Sequence, residues 1–126
     1  MAHFLLQASY TSAAWAALAR EPEDRVAAIK PVIERLGGRV VTGYLSFGEY
    51  DIVAIVELPN SVSAAAFSMA SSGGGAIRVR KTTPLLTPEE ARQAMQLAGG
   101  TAYPVPHALQ SELAQEAANL VASVGE

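Results

Sequence analysis

The chain has no cysteine among its 126 residues. That excludes a disulfide framework, a thiolate metal site and a cysteine nucleophile. It is compatible with a reducing compartment, and a cytoplasmic location is expected. Histidine is also scarce, with only His3 and His107 in the whole chain. Charged residues make up 17% and the net charge is −3, with the few basic residues scattered rather than clustered. This argues against a nucleic-acid surface, which needs grouped Lys and Arg. No apolar run reaches the ~18 residues that a membrane span needs. Met1 to Ala19 is apolar enough to raise the question of a signal peptide. It lacks a basic leading region, however, and Gln7, Ser9, Tyr10, Thr11 and Ser12 interrupt it. Catalytic signatures are missing too: there is no Gly-x-Ser-x-Gly, no His-Glu-x-x-His and no dinucleotide fingerprint. Gly73-Gly74-Gly75 lacks the Lys-Ser/Thr of a phosphate loop and precedes a strand, so it reads as a connector. Neither a cofactor nor a metal is expected.

What remains is a well-patterned α+β chain of a length that suits one domain. Ile52-Val53-Ala54-Ile55-Val56-Glu57 is rich in β-branched residues and apolar on both faces in its middle, which marks a central strand with both faces covered. His3 to Tyr10 is a first strand, with Phe4, Leu6, Ala8 and Tyr10 on one face and His3, Leu5, Gln7 and Ser9 on the other. Thr11 or Ser12 caps a short stretch carrying Trp15, Leu18 and Ala19. Pro22 is expected at the first position of the next helix, whose stripe is Val26, Ile29, Ile33 and Leu36, kinked at Pro31 and ended by Gly37-Gly38. Arg39 to Phe47 is a second strand, with Val41, Gly43, Leu45 and Phe47 on one face and Val40, Thr42, Tyr44 and Ser46 on the other. It turns at Gly48-Glu49, where Gly48 is expected to supply a positive φ.

Asn60 or Ser61 caps a second helix with the stripe Val62, Ala66, Phe67 and Ala70. Ala76 to Thr83 is a fourth strand, with Ile77 and Val79 on one face and Arg78, Arg80 and Thr82 on the other. The order β-α-β-β-α-β gives a ferredoxin-like fold, a four-stranded antiparallel sheet in the order 4-1-3-2 with helices on one face. Thr87-Pro88-Glu89-Glu90 opens a further helix. From Ala108, Leu109, Leu113, Ala117, Leu120 and Val124 form a clean apolar stripe. The expected organisation is a domain over 1–92 and a helical extension over 93–126 that serves oligomerisation.

Several of these segments together resemble the GYD-domain family of small bacterial proteins. They are Ser9-Tyr10-Thr11, Pro22-Glu23-Asp24-Arg25, Leu36-Gly37-Gly38, Gly48-Glu49-Tyr50-Asp51 running into Ile52 to Glu57, Arg78-Val79-Arg80 and Leu86 to Glu90. The likeness covers Phe4 to Arg92. It implies a fold of the dimeric α/β-barrel group, in which two sheets pack face to face, and it implies no particular reaction. Trp15 departs from the smaller or polar residue expected at its place.

Candidate sites follow from the face assignments. His3 with Glu57 reads as an acid–base pair or half a metal site, or as a rim salt bridge; one His and one carboxylate are too few ligands, which favours the salt bridge. His3 is also expected near Arg80 or Thr82. Asp51 with Arg78 or Arg80 reads as a polar-substrate clamp or as an ion pair that fixes register, with Gln7 and Ser9 beside it. Tyr10, Trp15 and Tyr50 gather at one end of the sheet on its helical face. They either line a small-molecule pocket or pack as a core end, with Arg20 or Arg25 near its mouth. The ligand-binding candidates are therefore Tyr10, Trp15, Tyr50, Asp51 and Arg78. The functional expectation is a homo-oligomeric small-molecule-binding or regulatory module. The alternatives are a cofactor-independent oxygenase or isomerase working in that pocket and a structural assembly subunit. Expected partners are a second copy, through the sheet face and the terminal helix, and a small molecule, without nucleic acid or membrane.

Overall fold

A computed structural model describes residues 1–124. It divides into two units, Met1–Glu89 and Glu90–Glu126. The first contains β1 (Ala2–Tyr10), α1 (Ser12–Arg20), α2 (Arg25–Arg35), β2 (Arg39–Leu45), β3 (Ile52–Leu58), α3 (Ser61–Gly73) and β4 (Ile77–Leu85). Beyond them lie α4 (Pro88–Gly99) and α5 (His107–Val124). No helix among the described residues is long and apolar enough to cross a membrane.

The four strands form one antiparallel sheet in the order β2-β3-β1-β4. This is the ferredoxin-like order expected from the chain's alternation of elements, with α1 added ahead of α2. Of the two central strands, β3 alternates strictly and β1 does so from His3 to Gln7. Phe4, Leu6 and Tyr10 of β1 and Ile52, Ala54, Val56 and Leu58 of β3 are all buried toward the helices. With Ile33 of α2 and Ala64 of α3, most of them form the core, against which Ile29, Leu36, Val40 and Phe67 pack. Burying a side chain of the Leu, Ile or Phe class contributes about 1.5–3 kcal/mol, so this layer holds the helices on the sheet.

Both edge strands break the alternation. In β2 the pairing slips between Val40↔Val56 and Thr42↔Ile55. Val41 is the extra residue, and Val40 and Gly43 both face the helices. In β4 it slips between Ser9↔Val79 and Tyr10↔Ile77, so Arg78 is the extra residue. One such bulge reverses the face of everything on one side of it. Arg80 therefore pairs with Ala8, and Thr82 with Leu6, on the helical face rather than the opposite one. Thr82 confirms the side by meeting Ser68 of α3, Oγ1 to Oγ, at 3.2 Å.

The helix ends follow local chemistry. Thr11 caps α1, accepting from the Ala14 amide at 3.1 Å. Asp24 caps α2, accepting from the Ala27 amide at 3.0 Å, so α2 starts at Arg25 and Pro22 lies before it. The helix runs on through Pro31. It closes in a Schellman motif: Gly38 N donates to Ile33 O at 3.0 Å and Gly37 N to Glu34 O at 2.9 Å, with Gly37 at φ 88°. Among the described residues a positive φ occurs only at Gly37 and Gly75, so Gly48 does not use one. The β2–β3 connection is closed instead by Ser46, whose amide donates to Asp51 O at 2.8 Å and whose hydroxyl donates to Tyr50 O at 2.6 Å. In α3 the inward face carries Ala64 and Phe67 while Val62 points outward. No residue of α4 or α5 is buried among those described.

Candidate functional site

A cavity of about 310 Å³ opens on the helical side of the sheet. Its walls are Leu6 and Ala8 of β1, Ile52 and Ala54 of β3, Ile29 of α2, Phe67 of α3 and Ile77 of β4. Its polar residues include Tyr10, Arg25, Ser68, Ser71, Arg80 and Thr82. The edge-strand bulge creates the arrangement: by reversing the face of β4, it sets Arg80 and Thr82 on the cavity side of the sheet, while Val79 lies outside the lining. Small residues keep the space open, since Ala8, Ala54, Ala70 and Ala76 contribute no bulk where a Leu would fill it.

Tyr10 stands at the junction of this cavity with a second of about 180 Å³ lined also by Ala14, Ala17, Leu18, Glu23, Arg25 and Ala76. Trp15 packs edge-on against the Tyr10 ring, with centroids 5.4 Å apart and planes at 90°. Burial pushes the Tyr10 phenol above its ordinary 10.0, and the Arg25 guanidinium pulls against that. The phenol is therefore neutral across the physiological range, a hydrogen-bonding group rather than a base. Arg25 is fixed as a cation, chiefly by Glu23, whose Oε1 it meets at 2.6 Å, and secondarily by Tyr10.

The five sequence candidates separate on this geometry. Tyr10 lines both cavities, whereas Trp15, Tyr50, Asp51 and Arg78 line neither. Asp51 is not set against Arg78 or Arg80, nor beside Gln7. Its Oδ2 accepts from the Tyr10 amide at 2.9 Å and from the Trp15 indole Nε1 at 3.2 Å. Ser9, expected beside it, is buried and donates to Glu49 O at 2.7 Å. Tyr50 takes part through its backbone oxygen. Arg78 is the bulged residue of β4 and is exposed. Arg80 was legible as a residue but not in its position, because period-two alternation assigns it to the wrong face.

His3 and Glu57 do meet, Nε2 to Oε1 at 2.9 Å, and Arg39 completes a bridge to the same carboxylate at 2.6 and 3.2 Å. Hydrogen bonds from Arg39 hold the Glu57 carboxyl below its ordinary value. His3 pairs along the sheet with Leu85 rather than with Arg80 or Thr82. No group of three or more His, Cys, Asp or Glu side chains is gathered for a metal among the described residues. The clamp lies on the sheet face turned away from the cavity, beside the half-buried Leu5, Val53 and Ile55.

The sheet order, the helices on one face and the cavity beneath them define a ferredoxin-like α+β protein with an apolar site between sheet and helices. Within that class, the chain belongs to the GYD domain family, whose model matches residues 4–95. No curated protein and no solved structure matches it. Within the matched residues, Asp51 ties the end of β1 to α1 through the Tyr10 amide and the Trp15 indole.

Proposed function

We propose that the protein is a homo-oligomeric small-molecule-binding module, working in the cytoplasm, whose ligand occupies the cavity between the sheet and helices α2 and α3. The observation that carries this reading is the cavity itself, about 310 Å³ in volume and walled by apolar side chains with a few convergent polar groups. An assembly subunit with no ligand would have this space filled by its own side chains. An enzyme using Tyr10 as a proton acceptor would need the phenol shifted toward neutrality, and burial moves it the other way. Self-association is supported by the sheet face opposite the helices. Leu5, Val53 and Ile55 form its apolar middle, and the His3–Glu57–Arg39 clamp forms a polar rim. The apolar stripe of α5 offers a second contact surface.

Native mass spectrometry of protein purified from its own host tests both parts. The expected result is a homo-oligomer that carries a discrete extra mass and releases it on denaturation. A monomer would overturn the assembly. An oligomer that carries no extra mass, together with a cavity that admits no small apolar probe, would overturn the binding role.

A further inference from the structure

Every charged residue that lines the larger cavity is basic: Arg25, Arg80 and Lys81 are present and no Asp or Glu is. That sign is opposite to the chain's own net charge of −3. The two arginines on the helical side are not equivalent. Arg25 is engaged by Glu23 at 2.6 Å. Arg80 forms no ion pair with any carboxylate among the described residues, and its side chain is exposed. Three of the other polar lining residues already have partners. Ser68 and Thr82 hydroxyls bond each other at 3.2 Å, and Ser71 donates to Ser68 O at 3.0 Å. The remaining interior is Leu6, Ile29, Ile52, Ala54 and Phe67. A charged group pushed in among those apolar side chains would lose its water without a matching gain. An anion at Arg80, in contrast, would gain a charge-assisted hydrogen bond.

Resting on the binding reading above, we infer that the ligand is a small amphiphilic carboxylate. Its apolar body lies between Leu6, Ile29, Ile52 and Phe67, and its head meets Arg80 at the mouth. The planar guanidinium matches a carboxylate in two-point fashion. The space of about 310 Å³ lies at the lower end of small-molecule sites. A straight-chain acid such as octanoate is a probe for a site of that size.

Isothermal titration of the full chain with octanoate, octanamide and acetate tests this. The three probes separate body from head: octanamide keeps the body and removes the charge, and acetate keeps the head alone. Octanoate is expected to bind at least about tenfold tighter than either, the size of one charge-assisted hydrogen bond. Arg80→Gln is expected to bring octanoate down to the octanamide level and leave octanamide unchanged, and Arg80→Lys to restore part of the difference. Because Arg80 is exposed on an edge strand, these variants keep the fold, which circular dichroism checks. Equal binding of octanamide, or an Arg80→Gln protein that binds octanoate as before, would overturn the anionic head. Acetate binding as tightly as octanoate would overturn the apolar body. Failure of octanoate on a protein that releases a discrete mass on denaturation would sink this inference alone. Failure of every probe on a protein that releases none would sink the binding reading as well.

Discussion

A single oxygen, Asp51 Oδ2, accepts both the Tyr10 amide at 2.9 Å and the Trp15 indole at 3.2 Å. Asp51→Ala leaves the half-buried Tyr10 amide without a partner and releases Trp15 from the Tyr10 ring. The expected loss is about 1–3 kcal/mol, read by urea unfolding, with a change in Trp15 fluorescence. Asp51→Asn keeps an amide oxygen at the same place and is expected to lose clearly less. A result in which both variants unfold alike would mean that the charge, not the shared acceptor, holds this corner. Glu57 makes a pH prediction. Its carboxyl is held below its ordinary 4.5 by Arg39 first, with His3 adding attraction. Its stabilising contribution is therefore present above that value and lost as pH falls through the lower folded value. Glu57→Gln is expected to flatten the acid limb of the stability profile and leave the alkaline limb unchanged. On the alkaline side the raised Tyr10 phenol acts in the opposite sense. Its contribution is complete below 10.0 and is lost as pH rises through the higher folded value, so Tyr10→Phe is expected to flatten that limb.

At the level of elements, α2 lies so close to β2 that a Cβ on Gly43 would stand 2.9 and 3.0 Å from the two methyl carbons of Val26. A β-branched side chain on a helix has little freedom to turn away. Gly43→Ala is therefore expected to destabilise by about 1–3 kcal/mol, despite the usual gain from replacing a strand glycine. In a double-mutant cycle with Val26→Ala, the pair is expected to cost less than the sum of the singles, as measured by denaturant midpoints. Additive costs would mean that the helix adjusts its seat. The same edge strand shows what the sequence could and could not convey. Alternation in β1 and β3 is readable because these two strands pair with each other in one unbroken register, and Phe4, Leu6, Val56 and Leu58 lie where their spacing puts them. In β2 and β4 one extra residue each, Val41 and Arg78, reverses part of the strand. Nothing in the side chains of Val40-Val41-Thr42 or Ile77-Arg78-Val79 marks a bulge, since it is set by pairing with residues far along the chain. That is why alternation alone makes Arg78 a site candidate and puts Arg80 on the far face. Asp51 was misplaced for a related reason. It precedes β3, so strand parity does not govern it, and its carboxylate turns back to the amide of Tyr10.

For the molecule as a whole, the proposed assembly and the cavity lie on opposite faces of one sheet, and this makes them separable. The face turned away from α2 and α3 carries Leu5, Val53 and Ile55, with Tyr44 beside Val53 at 69% exposure. If a second copy covers this patch, a lysine in its middle would be buried without a partner. Leaving such a charge unpaired costs about 3–5 kcal/mol, which weakens association by roughly two to four powers of ten. Val53→Lys is therefore expected to appear as a smaller species in light scattering at micromolar concentration, with octanoate binding retained because Val53 does not line the cavity. Leu113→Glu asks the same of α5, where Leu113 is 50% exposed in the single chain. A loss of subunits in Leu113→Glu but not in Val53→Lys would move the interface from the sheet to the terminal helix. If neither substitution changes the mass, neither surface carries the assembly. If Val53→Lys removes binding together with association, the cavity depends on the second copy, and the ligand and the oligomer form one site.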